Sequence, residues 1–220
     1  QGDLLMNPAS GFGSWRRGPR RAPVCATASE VDQLVQACPR TARGLAQRAV
    51  VELLYGCGLR NAELRHLDVA DIDLERGLVL VRHGKGGHQR VVPLVGEARR
   101  AVKAYLDRGR PRLENDRSGA ALILHQRGQR LCCETVSAWV TRLVRAASLV
   151  KPIRPHALRH GYATGLLTGG ADVATVQKLL GHVRVDTTQG YTHVDWVHLK
   201  RAYTRAHPRE RQARRRASHR

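Results

Sequence analysis

One stretch constrains the fold of this chain more than any other. Ala42, Leu45, Ala46, Ala49, Val50, Leu53, Leu54 and Cys57 recur at the 3.6-residue spacing of an α-helix. Thr41 stands ready to cap that helix, and Gly56 and Gly58 stop it. Arg60 therefore emerges at a helix end. Between 71 and 94 the period changes to short apolar runs at 72–74, 78–81 and 91–92, separated by the Gly-containing turns ERG and HGKGGH. That pattern predicts a three-stranded antiparallel meander. Helical spacing precedes it, through Val31, Leu34, Val35 and Cys38, and resumes at 96–108, 134–147, 156–168, 172–180 and 195–206, with 109–120 as a charged surface loop. The fold class expected is α+β, mostly helical, with one small three-stranded antiparallel sheet. At 220 residues there is material for one sizeable domain plus extensions.

Charge narrows the partner. Lys and Arg number 38 against 18 Asp and Glu, a net charge of +20. Arg16, Arg17, Arg20 and Arg21 together with residues 205–220 supply half of it, which leaves +10 in the body. A folded surface that basic points to a polyanion and favours nucleic acid. Most of the 33 arginines are assigned to a GC-rich coding bias and not to recognition. No run of apolar residues is long enough to span a bilayer, so no membrane partner is expected. QGDLLMNPAS lacks the parts of a signal peptide, and a cytoplasmic location is expected. The five cysteines are odd in number and without CxxC spacing, so neither a disulfide framework nor zinc is indicated.

The chemistry concentrates in residues 154–194. In a helix starting near Pro155, His156 and Arg159 lie three apart on one face. His182 follows a helix-ending Gly181, and Tyr191 sits in the polar segment Thr187, Thr188, Gln189, Gly190, where a core tyrosine has little to pack on. His156 and His160 have the spacing of a zincin pair, but position 157 is Ala where the general-base Glu is required. HGKGGH likewise lacks P-loop spacing. Tyr55, Tyr105, Tyr162 and Tyr203 fall in helical patterns and are assigned to the core.

Five motifs in order, G-L-R-N-A-E-L at 58–64, G-K-G at 84–86, H-A-L-R-H at 156–160, L-L-G-H at 179–182 and Y-T-H-V at 191–194, give the chain a strong resemblance to the tyrosine recombinases of the phage-integrase family, most closely the Xer type. The resemblance runs from about residue 25 to 205 and implies a catalytic set. Tyr191 would be the nucleophile that holds a DNA strand as a 3′-phosphotyrosyl ester, which conserves the bond energy and needs neither metal nor ATP. Arg60 and Arg159 would clamp the phosphate, Lys85 would protonate the departing 5′-oxygen, and His156 and His182 would donate to the phosphate or relay the tyrosine's proton. Glu63 is expected either to support Arg60 through an ion pair or simply to cap a helix, and His160 to stand behind the reacting groups. No cofactor is implied. The implied partner is double-stranded DNA, bound by a homo- or hetero-oligomer, a tetramer on two sites, assembled through the C-terminal helix at 195–206.

The resemblance also divides the chain. Residues 1–24 are expected to be the remnant of a preceding DNA-clamping domain and its basic linker, 25–205 the catalytic domain, and 206–220 an Arg-rich tail, disordered alone and held to phosphate by charge. A rival with the same chemistry is a type IB topoisomerase, disfavoured by the compact Y-T-H-V ending. A rival of another class is a catalytically silent DNA-binding remnant that occupies sites without cutting.

Overall fold

A computed structural model describes residues 24–82, 89–181 and 193–217, the side chains of 193–196 and 213–217 excepted. Its spine is helix α2, Ala42–Gly56, which follows α1, Ala28–Gln36. Thr41 caps α2 by accepting from the Gly44 amide at 3.1 Å. Burial extends beyond the apolar stripe to Gln47 and Glu52, because neighbours cover α2 on several sides. These are α1, the later helices α4 (Gly96–Ala104), α5 (Cys133–Ala146) and α6 (Pro155–Thr168). A short helix, α3, occupies Asn61–His66. The sequence pattern did not reveal it, since six residues are too few to display a period.

The meander forms as expected, with slightly shifted ends: β1 is Ile72–Asp73, β2 Leu78–Val81 and β3 Arg90–Pro93, antiparallel in the order β1-β2-β3. Val79 faces Ile72 on one side and Val92 on the other, and Val81 is in register with Arg90. Val79, Val81 and Val92 enter the core. The helix expected over 96–108 divides instead. After α4 the chain takes a π turn over Tyr105–Gly109 and a 3-10 turn over Arg110–Arg112. A Cβ on Gly109 would stand 2.8 Å from the Tyr105 ring and 3.1 Å from Leu45 Cβ, so the turn fits tightly against α2. The rest of 109–120 is largely exposed, as a charged loop should be, although Ser118 is buried and donates to the Gly128 carbonyl at 2.6 Å.

The second half of the chain is helical. α5 buries Val136, Trp139, Val140, Leu143 and Val144, the face read from the sequence. α6 carries Arg159, and α7, Val173–Leu180, is capped by Asp172 and closed by Gly181 in the left-handed region at φ +69°. α8, His193–Ala206, packs on α6 through a second core of Tyr162, Leu166, Leu179, Leu199, Tyr203 and Ala206. The Tyr203 hydroxyl donates to the Gly56 carbonyl at 2.7 Å, tying α8 to the end of α2. Within a single chain, then, the helix expected to assemble protomers lies on its own domain. Tyr55, Tyr105, Tyr162 and Tyr203 are all core residues.

The end of the chain departs from the expected disordered tail. Pro208–Ala217 form helix α9, and Arg209 is buried. It donates to Glu52 of α2 at 2.5 Å and pairs with Asp32 of α1 at 2.9 Å. Two acids from separate helices convert one member of a charge run into an anchor, which composition cannot signal. His207 beside it is 2% exposed and stacks on Tyr203 with ring centroids 4.8 Å apart.

Burial holds the His207 imidazole down to about 3 from an ordinary value of 6.5. An unfolded chain therefore binds a proton that the folded chain refuses between those values. Folding stability should be free of this penalty above pH 6.5 and should fall as the pH drops below it, by up to about 1.4 kcal/mol per pH unit. His207→Phe should remove that part of the slope in urea melts between pH 7.5 and 5. An unchanged slope would refute the assignment.

Candidate active site at the ends of α2, α6 and α7

Gly58 sets the site's geometry at its first turn. It lies at φ +62°, and a Cβ there would come within 2.4 Å of the Tyr162 ring, so only glycine lets the chain reverse this close to α6. Two residues on, Arg60 is the N-cap residue of α3 and Glu63 is its third helical residue. The Arg60 amide donates to Glu63 Oε2 at 2.8 Å and its guanidinium Nη1 to Oε1 at 2.6 Å. Arg60 thus begins α3 as well as following α2. The ion pair expected between Arg60 and Glu63 is present, and Glu63 caps α3 at the same time.

Glu63 also gathers two arginines from distant parts of the chain. Arg90 of β3 grips both of its oxygens, with Nη1 and Nη2 each at 2.8 Å. Nη1 of Arg159, on α6, lies 3.6 Å from Oε2. Arg159 also donates to the Gly58 carbonyl, and its Nη2 to the Leu180 carbonyl at 2.9 Å. Arg90 Nε donates to Leu179 at 3.2 Å. The last carbonyls of α7, which have no partner inside the helix, therefore receive two guanidinium groups at the helix's negative end.

The electrostatics follow from this packing. Burial pushes the Glu63 carboxyl up, but the Arg90 fork and charge, helped by Arg60, outweigh it and leave the group at about 2. Burial and the nearby Arg60 charge lower Arg159 to about 10, still a cation at neutral pH. Three guanidinium groups face one carboxylate, so the cluster keeps excess positive charge. Arg90 and Arg159 are 6% and 7% exposed in their side chains, and Arg60 is 28% exposed. Arg60 thus brings the charge to the surface. Such a cluster can hold an anion and can stabilise charge that grows on it.

His156 and His160 flank Arg159 on α6, one turn before it and one residue after it. Their rings meet edge to face with centroids 4.2 Å apart. His156 is exposed, while His160 is partly covered; burial, His156 and Arg159 lower its pKa. The structure thus brings together Arg60, Glu63 and Arg159 and places His156 and His160 beside Arg159 on one helix. Lys85, His182 and Tyr191 lie outside the described residues. Among the described residues no cluster of three or more His, Cys, Asp or Glu side chains is placed to hold a metal, and no helix is long and apolar enough to cross a membrane.

Sequence reasoning missed Arg90. The strand read at 91–92 stopped one residue short of it, and among so many arginines it carried no mark. The available signal was position: a charged residue opening an apolar strand, four residues after the G-K-G motif.

Comparison with known proteins agrees with this arrangement. Residues 25–198 match the model of the phage integrase family. The chain is 42% identical over 196 residues to the tyrosine recombinase XerC of Pelotomaculum thermopropionicum, across 86% of this chain and 63% of that protein. It thus spans a little under two thirds of that relative's length. The crystal structure of XerA recombinase superimposes with a TM-score of 0.65 at 32% identity, covering 86% of this chain and 67% of that one. The lambda integrase catalytic core does so with a TM-score of 0.57 at 26% identity, covering 74% of this chain and 94% of that one. With a family match over most of its length and a fold shared with these proteins, the chain belongs to the phage integrase family.

Proposed function

We propose that this chain is the catalytic domain of a Xer-like, site-specific tyrosine recombinase that cuts and rejoins double-stranded DNA. The observation that carries the reading is the Glu63-centred arginine cluster, with excess positive charge delivered to the surface by Arg60. Residues 25–205 are assigned to the catalytic domain and 1–24 to the end of a preceding domain with its linker. The near-complete coverage of the lambda catalytic core supports the first assignment. The cytoplasm, where the DNA is, is the compartment this activity requires.

In the proposed reaction the Tyr191 oxygen attacks the scissile phosphorus and becomes the bridging atom of a 3′-phosphotyrosyl ester. Its proton passes to His156 or His182. The bond from phosphorus to the 5′-oxygen breaks, and Lys85 protonates that oxygen as it leaves. Attack by a 5′-hydroxyl of the partner duplex reverses the same steps. No hydrolysis occurs, so no ATP is consumed, and no step calls for a metal. Arg60 and Arg159 meet the charge that builds on the non-bridging oxygens, with Glu63 holding Arg60 and His160 supporting His156. Strand exchange requires two duplexes and hence a tetramer. Its assembly through the C-terminal helices would compete with the contacts that Leu199, Tyr203 and Arg209 make within their own chain.

Two outcomes test this reading. Incubated with nicked duplexes carrying randomised cores and denatured in SDS, the wild-type protein should yield a DNA-linked band. Tyr191→Phe should yield none while retaining DNA binding; an adduct in that variant would refute the nucleophile, and binding without any wild-type adduct would indicate a silent DNA-binding protein. Arg159→Lys keeps the charge but loses the fork. It should slow single-turnover adduct formation by about 100- to 1,000-fold with little change in affinity.

A further inference from the structure

Arg90 performs no step of the proposed reaction, yet it joins α3, which carries Glu63, to the end of α7. Its strand begins five residues after Lys85 in the sequence. Its fork holds both oxygens of Glu63, which in turn bonds the backbone and side chain of Arg60. Its Nε reaches Leu179, one residue before the carbonyl that receives Arg159. Its Cδ lies 2.9 Å from where a Cβ on Gly181 would stand, directly ahead of His182. Gly181 is thus needed for its left-handed turn and for the room Arg90 occupies. Its Nε, Nη1 and Nη2 are all engaged within the fold, by the Leu179 carbonyl and the two Glu63 oxygens, so its role is to hold these elements together.

We propose that Arg90 is a positioning residue for strand cleavage. By saturating both Glu63 oxygens it fixes the carboxylate that aims Arg60. By bonding Leu179 and packing on Gly181 it sets β3, the strand that follows Lys85 in the chain, in register with α3 and the end of α7. This rests on the recombinase reading and adds to it the means by which groups from three elements face one phosphate. Lysine cannot substitute, because an ammonium is a point charge that does not span two carboxylate oxygens and a carbonyl in one plane. The loss should therefore fall on the chemical step and not on DNA affinity.

The test compares wild type, Arg90→Lys and Arg90→Gln in the full 220-residue chain. Single-turnover adduct formation is measured at saturating DNA, using duplexes recovered by covalent trapping. Affinity is measured by anisotropy and folding by thermal melts. A second substrate carries sulfur in place of the bridging 5′-oxygen, which leaves without needing a proton. Arg90→Lys should slow adduct formation on the oxygen substrate by about 100-fold, leave affinity within about threefold, and lose at least about tenfold less on the sulfur substrate, since the share due to a displaced Lys85 disappears. A residue that served stability alone would lower the melting temperature and leave the rate of the folded protein, or the ratio between the substrates, unchanged. Rates within about twofold of wild type, equal losses on both substrates, or a loss confined to affinity would each overturn the proposal. Should wild type form no adduct on either substrate, the recombinase reading fails and amide exchange decides the positioning claim. Arg90→Lys should then speed exchange in α3 and the last turn of α7 while α5 stays unchanged, and uniform exchange would overturn it.

Discussion

The site depends on one buried carboxylate. Glu63 is 3% exposed, and taking its charge out of water is costly unless the surroundings return the lost solvation. Here they return more than was lost, since the group ends at about 2 and not above its ordinary value. The cause is the arginine fork at two 2.8 Å contacts, backed by the Arg60 amide and guanidinium. The dependence is mutual. Without the carboxylate, Arg60, Arg90 and Arg159 would crowd like charges together, and with it the three can be held side by side.

The scaffold brings these groups together by stopping helices at a common place. α2 ends at Gly56 and the chain reverses at Gly58; α7 is closed by Gly181; α6 contacts both helices, and its Arg159 bonds the carbonyls of Gly58 and Leu180. Glycine is required at both turns, for positive φ and for the space taken by Tyr162 and Arg90 respectively. The same end of α2 receives Tyr203 from α8, whose helix begins two residues after Tyr191. The segment that holds Tyr191, the proposed nucleophile, is therefore joined by the chain itself to a helix anchored on the helix that leads to Arg60. Arg209 extends that anchorage to Glu52 and Asp32.

How much of this was legible in the sequence varied with the physical signal. α2, α5 and the meander were plain because long apolar periods leave few alternatives. Arg60, Arg159 and Glu63 were found by motif, and the structure places them together. α3 was invisible because its existence depends on the Arg60–Glu63 cap and not on a period. α9 was misread because its composition is that of a solvated charge run, and only burial of Arg209 between two acids distinguishes it. The division of the helix expected over 96–108 depends on how Gly109 meets α2, a contact between segments far apart in the chain.

Arginine shows the same limit most clearly. With 33 of them, composition treats Arg90, Arg159 and Arg209 like any other, and most of them are assigned to a coding bias. Burial does not treat them alike. Among the described residues these are the arginines that are buried, and each is paired with a carboxylate. A bias can supply guanidinium groups to a surface at little cost, but it cannot supply the opposing acid, the carbonyl and the glycine that let one be buried. Arg90 and Arg159 have all three between them, in Glu63, in the final carbonyls of α7, and in Gly58 and Gly181. In a chain this basic, the arginines that matter are those for which the fold has built a socket.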